Sequence, residues 1–164
     1  MTTYQRIFGT GPRGLAFGLI SFALTIWLHT AMGYAPLHGA PNFGYLALGV
    51  GTMTTFAIVI WSLKALPPAK RGRDLVKAGP FAYVRHPLYG AFLVGFDVGL
   101  AVYMDGWIYL LWAILQYPLW HLNIAGEERL MEREFGPDYL DYCATTGRFL
   151  PRLVRATRSD VTPL

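Results

Sequence analysis

The stretch Phe43-Gly44-Tyr45-Leu46-Ala47-Leu48-Gly49-Val50-Gly51-Thr52-Met53-Thr54-Thr55-Phe56-Ala57-Ile58-Val59-Ile60-Trp61-Ser62-Leu63 contains no Asp, Glu, Lys, Arg or His. Crossing the ~30 Å hydrocarbon core of a bilayer takes about 20 predominantly apolar residues. This run meets that length, and Pro67-Pro68 closes it, because proline lacks an amide donor and clashes with a continuing helix. It reads as a transmembrane helix. Working outward, three further runs are apolar enough to span: Gly14–Tyr34, with His29 its one potentially charged member; Leu88–Met104, carrying Asp97; and Gly106–Leu122, without charge. The last two are short, near the lower limit of ~17 residues. Met104-Asp105-Gly106 leaves room only for a tight hairpin, so these two helices are expected to pack antiparallel. The expected fold is all-α. It is a polytopic membrane helical bundle of about four transmembrane helices, five being the alternative count, with a cytoplasmic C-terminal helical segment. Residues 1–164 form one domain in this reading.

Composition excludes the common alternatives. Hydrophobic residues make up 54% of the chain and charged residues 15%, against roughly 25% charged in soluble domains. A soluble domain of this size could not bury that much apolar surface. The net charge of +4 does not point to nucleic acid, because the charges flank apolar spans and line no exposed face. Expected partners are therefore membrane lipids, with no nucleic acid. A lone Cys143 excludes an intramolecular disulfide. The first apolar run is longer than the ~7–15-residue core of a cleaved signal peptide, so a retained span is expected.

Orientation follows from the basic residues. Arg6 and Arg13 precede the first span. Lys64, Lys70, Arg71, Arg73, Lys77 and Arg85 lie between the second and third. Arg129, Arg133, Arg148, Arg152, Arg155 and Arg158 follow the fourth, and these are all 14 Lys and Arg. The connectors 35–42 and 104–106 have none. Four crossings then place both termini and the central loop in the cytoplasm, in a bacterial inner membrane or an ER-type membrane. The pairs Gly14/Gly18 and Gly95/Gly99 are four residues apart, which allows close helix packing where no hydrophobic effect drives association.

Two cytoplasmic segments, about 67–90 and 123–152, hold the polar residues. In the first, Gly79-Pro80 marks a turn, and Pro87 suits the first turn of the third helix. Arg85 and His86 therefore sit at that helix's positive end, where an anion could be held; a purely topogenic basic loop is the alternative. In the second, Glu127, Leu130 and Glu134 fall at helical spacing. The pairs Glu128/Glu132 and Arg129/Arg133 put like charges side by side, so charge pairing does not explain the pattern. Glu127 and Glu128 are placed to accept hydrogen bonds from a cationic or polar ligand, an ordinary amphipathic surface helix being the alternative. Asp97 is the one carboxylate inside a span. Steps of four, three and four join His86, Gly90, Leu93 and Asp97 into a stripe on one helix face. Such an acid either lines a polar path into the bundle or bonds a neighbouring helix.

Gly79-Pro80-Phe81-Ala82-Tyr83-Val84-Arg85-His86-Pro87-Leu88-Tyr89-Gly90 resembles the G-P-Y-x-x-x-R-H-P-x-Y-x-G signature of the isoprenylcysteine carboxyl methyltransferase family. Glu127-Glu128, Phe135-Gly136-x-x-Tyr139-x-x-Tyr142 and Arg148-Phe149-Leu150-Pro151 resemble that family's C-terminal half, in the same order and spacing. Phe81 and Gly147 depart from its usual pattern. The resemblance implies an integral-membrane methyltransferase using S-adenosyl-L-methionine at the cytoplasmic face, with a lipophilic acceptor entering from the bilayer. It implies cofactor contacts from Gly79, Tyr83, Arg85, His86, Pro87, Tyr89, Glu127 and Glu128. Gly49-Val50-Gly51 is similar to the G-x-G of the related phosphatidylethanolamine N-methyltransferases and would join that set. Arg148, Tyr139 and Tyr142 would lie on the acceptor side.

Methyl transfer from a sulfonium is an in-line displacement, in which a protein supplies alignment and a dry site. A carboxylate acceptor needs no base. An amine, phenol or thiol must lose a proton, and His86 or Asp97 is then the candidate base; the resemblance implies that Arg85 and Arg148 lie near the reacting group. No metal is implied, since His29, His38, His86 and His121 show no ligand spacing. Phospholipid N-methylation is the alternative within the superfamily. An NADPH-dependent sterol-type reductase and a non-catalytic membrane scaffold are the alternatives of another class.

Overall fold

The computed structural model describes residues 9–70 and 72–152. The basic residues Arg6, Arg71, Arg155 and Arg158 used in the orientation argument lie outside the described residues. The described chain is all-helical, with a single isolated parallel bridge between Val84 and Gly147. Helix α1 spans Gly11–Met32 and α2 spans Pro41–Ala65. Each begins with proline in its first turn, where the missing amide costs nothing. Both are long and apolar enough to cross a membrane. Their outward residues are apolar as well: Phe17, Ile20, Leu24 and Trp27 of α1 are all more than half exposed. Water disfavours an apolar face of that extent.

Helix α3 covers Pro87–Tyr103 and is not straight. Between the α-helical pieces Pro87–Ala91 and Asp97–Tyr103, residues Phe92–Phe96 form a π-helical turn. The Thr55 hydroxyl of α2 is shared between the carbonyl of Gly51 in its own helix, at 2.8 Å, and that of Ala91, at 2.9 Å, where the π turn begins. A π turn takes up more residues than an α turn. The straight-helix stripe from His86 through Gly90 and Leu93 to Asp97 is therefore broken before it reaches Asp97.

Helix α4 runs unbroken over Trp107–Phe135, with Pro118 inside it. The expected fourth span and the expected polar helix beyond it are thus one element. At 1.5 Å per residue α4 is about 43 Å long, more than the ~30 Å apolar layer requires. Its polar Asn123–Phe135 end continues the apolar part as one helix. Gly136, with φ 54°, ends it, and α5 follows over Pro137–Thr145.

Packing follows small residues. Helix α2 lies along α3, where a methyl group on Gly51 would run into the carbonyl of Gly95 and one on Gly99 would come within 2.8 Å of the Ala47 carbonyl. Helix α1 lies along α4, with Gly14 under the Trp120 indole. Ser21 accepts from Trp112 Nε1 and Gln116 Nε2, both at 3.0 Å, across that contact. The α3–α4 hairpin is present, yet α3 packs most extensively on α2. At the hairpin, Asp105 accepts the amides of His38 at 2.8 Å and Gly39 at 3.0 Å, tying the two Lys- and Arg-free connectors together.

Candidate functional site

At the opposite end of the bundle, backbone pairing joins the two polar segments. The Arg85 amide donates to the Gly147 carbonyl at 2.8 Å, and the His86 amide to the Arg148 carbonyl at 3.0 Å. Two short extended stretches, far apart in sequence, thereby place Arg85, His86 and Arg148 side by side over the polar end of α4.

Glu128 is the hub of this cluster. Its Oε1 accepts from Arg85 Nε at 3.0 Å and lies 3.3 Å from His86 Nε2, while its Oε2 pairs with Arg148 Nη2. Burial works to raise the Glu128 pKa. The hydrogen bonds from His86 and Arg148, with the charge of Arg85, overcome that and hold it at about 2. Arg85 also donates through Nη1 to the carbonyls of Cys143 and Thr146, fixing the loop after α5. Arg148 donates through Nη1 to the His121 carbonyl at 3.3 Å, and its buried Nε has no hydrogen-bond partner. Both Glu128 oxygens thus face protein cations, Oε1 toward Arg85 and Oε2 toward Arg148.

Glu127, one residue earlier on α4, is placed differently. Its Oε2 accepts from the Thr10 amide at 3.1 Å, from the Thr10 hydroxyl at 3.0 Å and from the Tyr89 hydroxyl at 3.4 Å. Its Oε1 has His86 Nδ1 4.0 Å away. The Tyr89 ring stacks on His86, centroids 5.9 Å apart.

These groups border a cavity of about 390 Å³, within the range of small-molecule sites. Arg85, His86, Pro87, Tyr89 and Glu127 line it, along with Tyr139 and Tyr142 of α5 and Asp74 of the preceding loop. Tyr142 donates its hydroxyl to the Phe81 carbonyl at 2.6 Å. The buried Tyr139 hydroxyl has no well-formed hydrogen bond among the described residues, the nearby Cys143 thiol being a weak partner. Burial raises both phenols above their ordinary pKa, so they act as neutral donors. A second cavity, about 480 Å³ and mostly apolar, lies between α2 and α3 with Phe149, Leu150 and Pro151 along one side. Pro87 borders both cavities.

Not every sequence candidate reaches the polar cavity. Gly51 lines the apolar cavity and serves the α2–α3 contact, while Gly49 faces open space, where an added methyl group would meet nothing within 4 Å. Gly79 occupies a left-handed turn beside Trp61 and Ala65. Tyr83 is exposed and borders the apolar cavity. Asp97, beyond the π turn, lines neither cavity. Conversely, Gly9, Gly11 and Pro12 line the polar cavity, and Thr10 bonds Glu127. No motif marks these N-terminal residues; only the return of α1 alongside α4 brings them there.

The chain matches no protein-family profile. Part of it is similar to the nickel-cobalt-cadmium resistance protein NccN of Alcaligenes xylosoxydans xylosoxydans, 36% identical over 88 residues. The match covers 51% of this chain and 39% of that protein, so the chain spans about two-fifths of its relative's length. Among the described residues no group of three or more His, Cys, Asp or Glu could hold a metal ion.

Proposed function

We propose that this chain is an integral-membrane methyltransferase of the isoprenylcysteine carboxyl methyltransferase type, using S-adenosyl-L-methionine and a lipophilic acceptor. The bundle crosses the membrane four times, with both termini and the polar cavity on the cytoplasmic side. The observation that carries the reading is the convergence of Arg85 and His86 with Glu127, Tyr139 and Tyr142 around one cavity. These residues come from the two separated motifs of the family signature, and they meet at the end of the bundle that holds the basic residues.

The side chains fit the cofactor's chemistry. Glu127 offers a carboxylate oxygen, Oε1, without a close hydrogen-bond partner, suited to an ammonium group. Tyr89, Tyr139 and Tyr142 offer aromatic surface for a cation or a purine ring. S-adenosyl-L-methionine would supply a methyl group already activated as a sulfonium. The protein's part is then to align and exclude water, with His86 beside the cavity as the group able to take a proton if the acceptor must lose one. The apolar cavity, which shares Pro87 as a wall with the polar one, suits an acceptor with a hydrocarbon chain. Calorimetry on detergent-purified protein tests this: S-adenosylhomocysteine should bind and NADPH should not, and the reverse would replace this reading with the reductase one.

The similarity to NccN supports a second reading at another level, service in resistance to nickel, cobalt or cadmium. Deleting the gene and measuring growth on each metal checks it, and unchanged tolerance to all three would remove it.

A further inference from the structure

We infer that Thr10 is a positioning residue of the ligand site, orienting Glu127 toward the ammonium group of an amino-acid-bearing ligand; this rests on the cofactor reading above. Thr10 stands at the N-cap of α1, where a threonine oxygen ordinarily accepts an amide from the first turn. Pro12 removes one of those amides, and the Thr10 side chain makes no capping bond. Its hydroxyl is turned instead to Glu127 Oε2, 117 residues away in sequence, which also accepts the Thr10 amide. Gly9, in the left-handed region at φ 55°, lets the chain come so close that a methyl there would sit 2.7 Å from the same oxygen.

The consequence is an asymmetric carboxylate. Oε2 receives two bonds from Thr10 and one from Tyr89, whereas Oε1 has only His86 Nδ1 at 4.0 Å. A carboxylate offers about four acceptor sites, so Oε1 keeps its capacity for an ammonium group. Without the hydroxyl, Glu127 would gain rotamer freedom that ligand binding must then remove. A bland alternative, that Thr10 merely fastens the start of α1 to α4, predicts a different pattern of losses.

Two ligands separate these readings. S-adenosylhomocysteine carries the amino-acid group, and 5′-methylthioadenosine is a related nucleoside that lacks it. Calorimetry on the detergent-purified full chain should show Thr10→Val weakening the first by about tenfold, the scale of one charge-assisted hydrogen bond, while leaving the second unchanged. Thr10→Ser, which keeps the hydroxyl, should restore parental affinity. Equal weakening of both ligands, or parental affinity for S-adenosylhomocysteine in the folded Thr10→Val protein, would overturn the assignment. Failure of the parent protein to bind S-adenosylhomocysteine would instead remove the cofactor reading, and this inference with it.

Discussion

Glu127 and Glu128 are adjacent on α4, yet they serve different partners: Glu128 is enclosed by Arg85, His86 and Arg148, whereas Glu127 faces the cavity and is held from the side by Thr10 and Tyr89. Successive helix positions lie about 100° apart, which suffices to put one carboxylate inside the cluster and the other on its wall. Glu127→Gln should thus weaken S-adenosylhomocysteine binding by about 1.5–3 kcal/mol while leaving the melting temperature near parental. Glu128→Gln should lower both, because it leaves three cationic or polar groups short of a partner. Calorimetry paired with thermal melts checks this, and the opposite assignment of the two losses would refute it.

Acid should act through Glu128. Its pKa falls from an ordinary 4.5 to about 2 on folding, so the ionised form stabilises the native state above pH 4.5. That contribution fades as pH drops from about 5 toward 2, through the folded-state pKa. Melting temperatures in detergent should therefore show parent and Glu128→Gln converging over this window. A constant gap between them would argue against the ion cluster.

The central loop can be tested without altering its charge. Arg85→Lys keeps the cation but loses the fork that spans Glu128 and the carbonyls of Cys143 and Thr146. His86→Ala removes the ring between the two glutamates. Both should insert normally and lose S-adenosylhomocysteine affinity by tenfold or more, about 1.4 kcal/mol. Parental affinity in both would make the loop a topological signal only.

Glycines of α2 should separate by position. Gly51→Ala places a methyl against the Gly95 carbonyl and should cost about 1–3 kcal/mol of stability, whereas Gly49→Ala meets nothing and should leave melting and ligand affinity unchanged. Loss of binding in Gly49→Ala with unchanged melting would return Gly49 to the ligand site.

Cysteine labelling from either side of sealed vesicles should find both termini on the face that carries Arg85. Termini on opposite faces would exclude four crossings.

How much of the fold and site is legible in the sequence varies with the physics involved. Uninterrupted apolar runs and prolines at helix starts are local properties, so α1, α2 and the α3–α4 hairpin can be read to within a few residues. The Gly95/Gly99 spacing likewise declares a close helix contact, although not that Gly51 and Ala47 are the surface met. The motif residues Arg85, His86, Glu127, Tyr139 and Tyr142 are visible as a set. By contrast, the π turn in α3, which begins at the Ala91 carbonyl that Thr55 touches from another helix, leaves no trace in the periodicity of the α3 sequence. The separate duties of Glu127 and Glu128 are equally hidden, since two adjacent carboxylates look alike until their neighbours are known. No motif in the sequence marks Thr10. Sequence by itself determined the apolar helices and most of their ends, because those follow from hydropathy and backbone chemistry residue by residue; the run of α4 on to Phe135 is an exception. Tertiary structure alone decided which carboxylate opens to the cavity and what steadies it, because that depends on side chains more than a hundred residues apart meeting where α1 lies along α4.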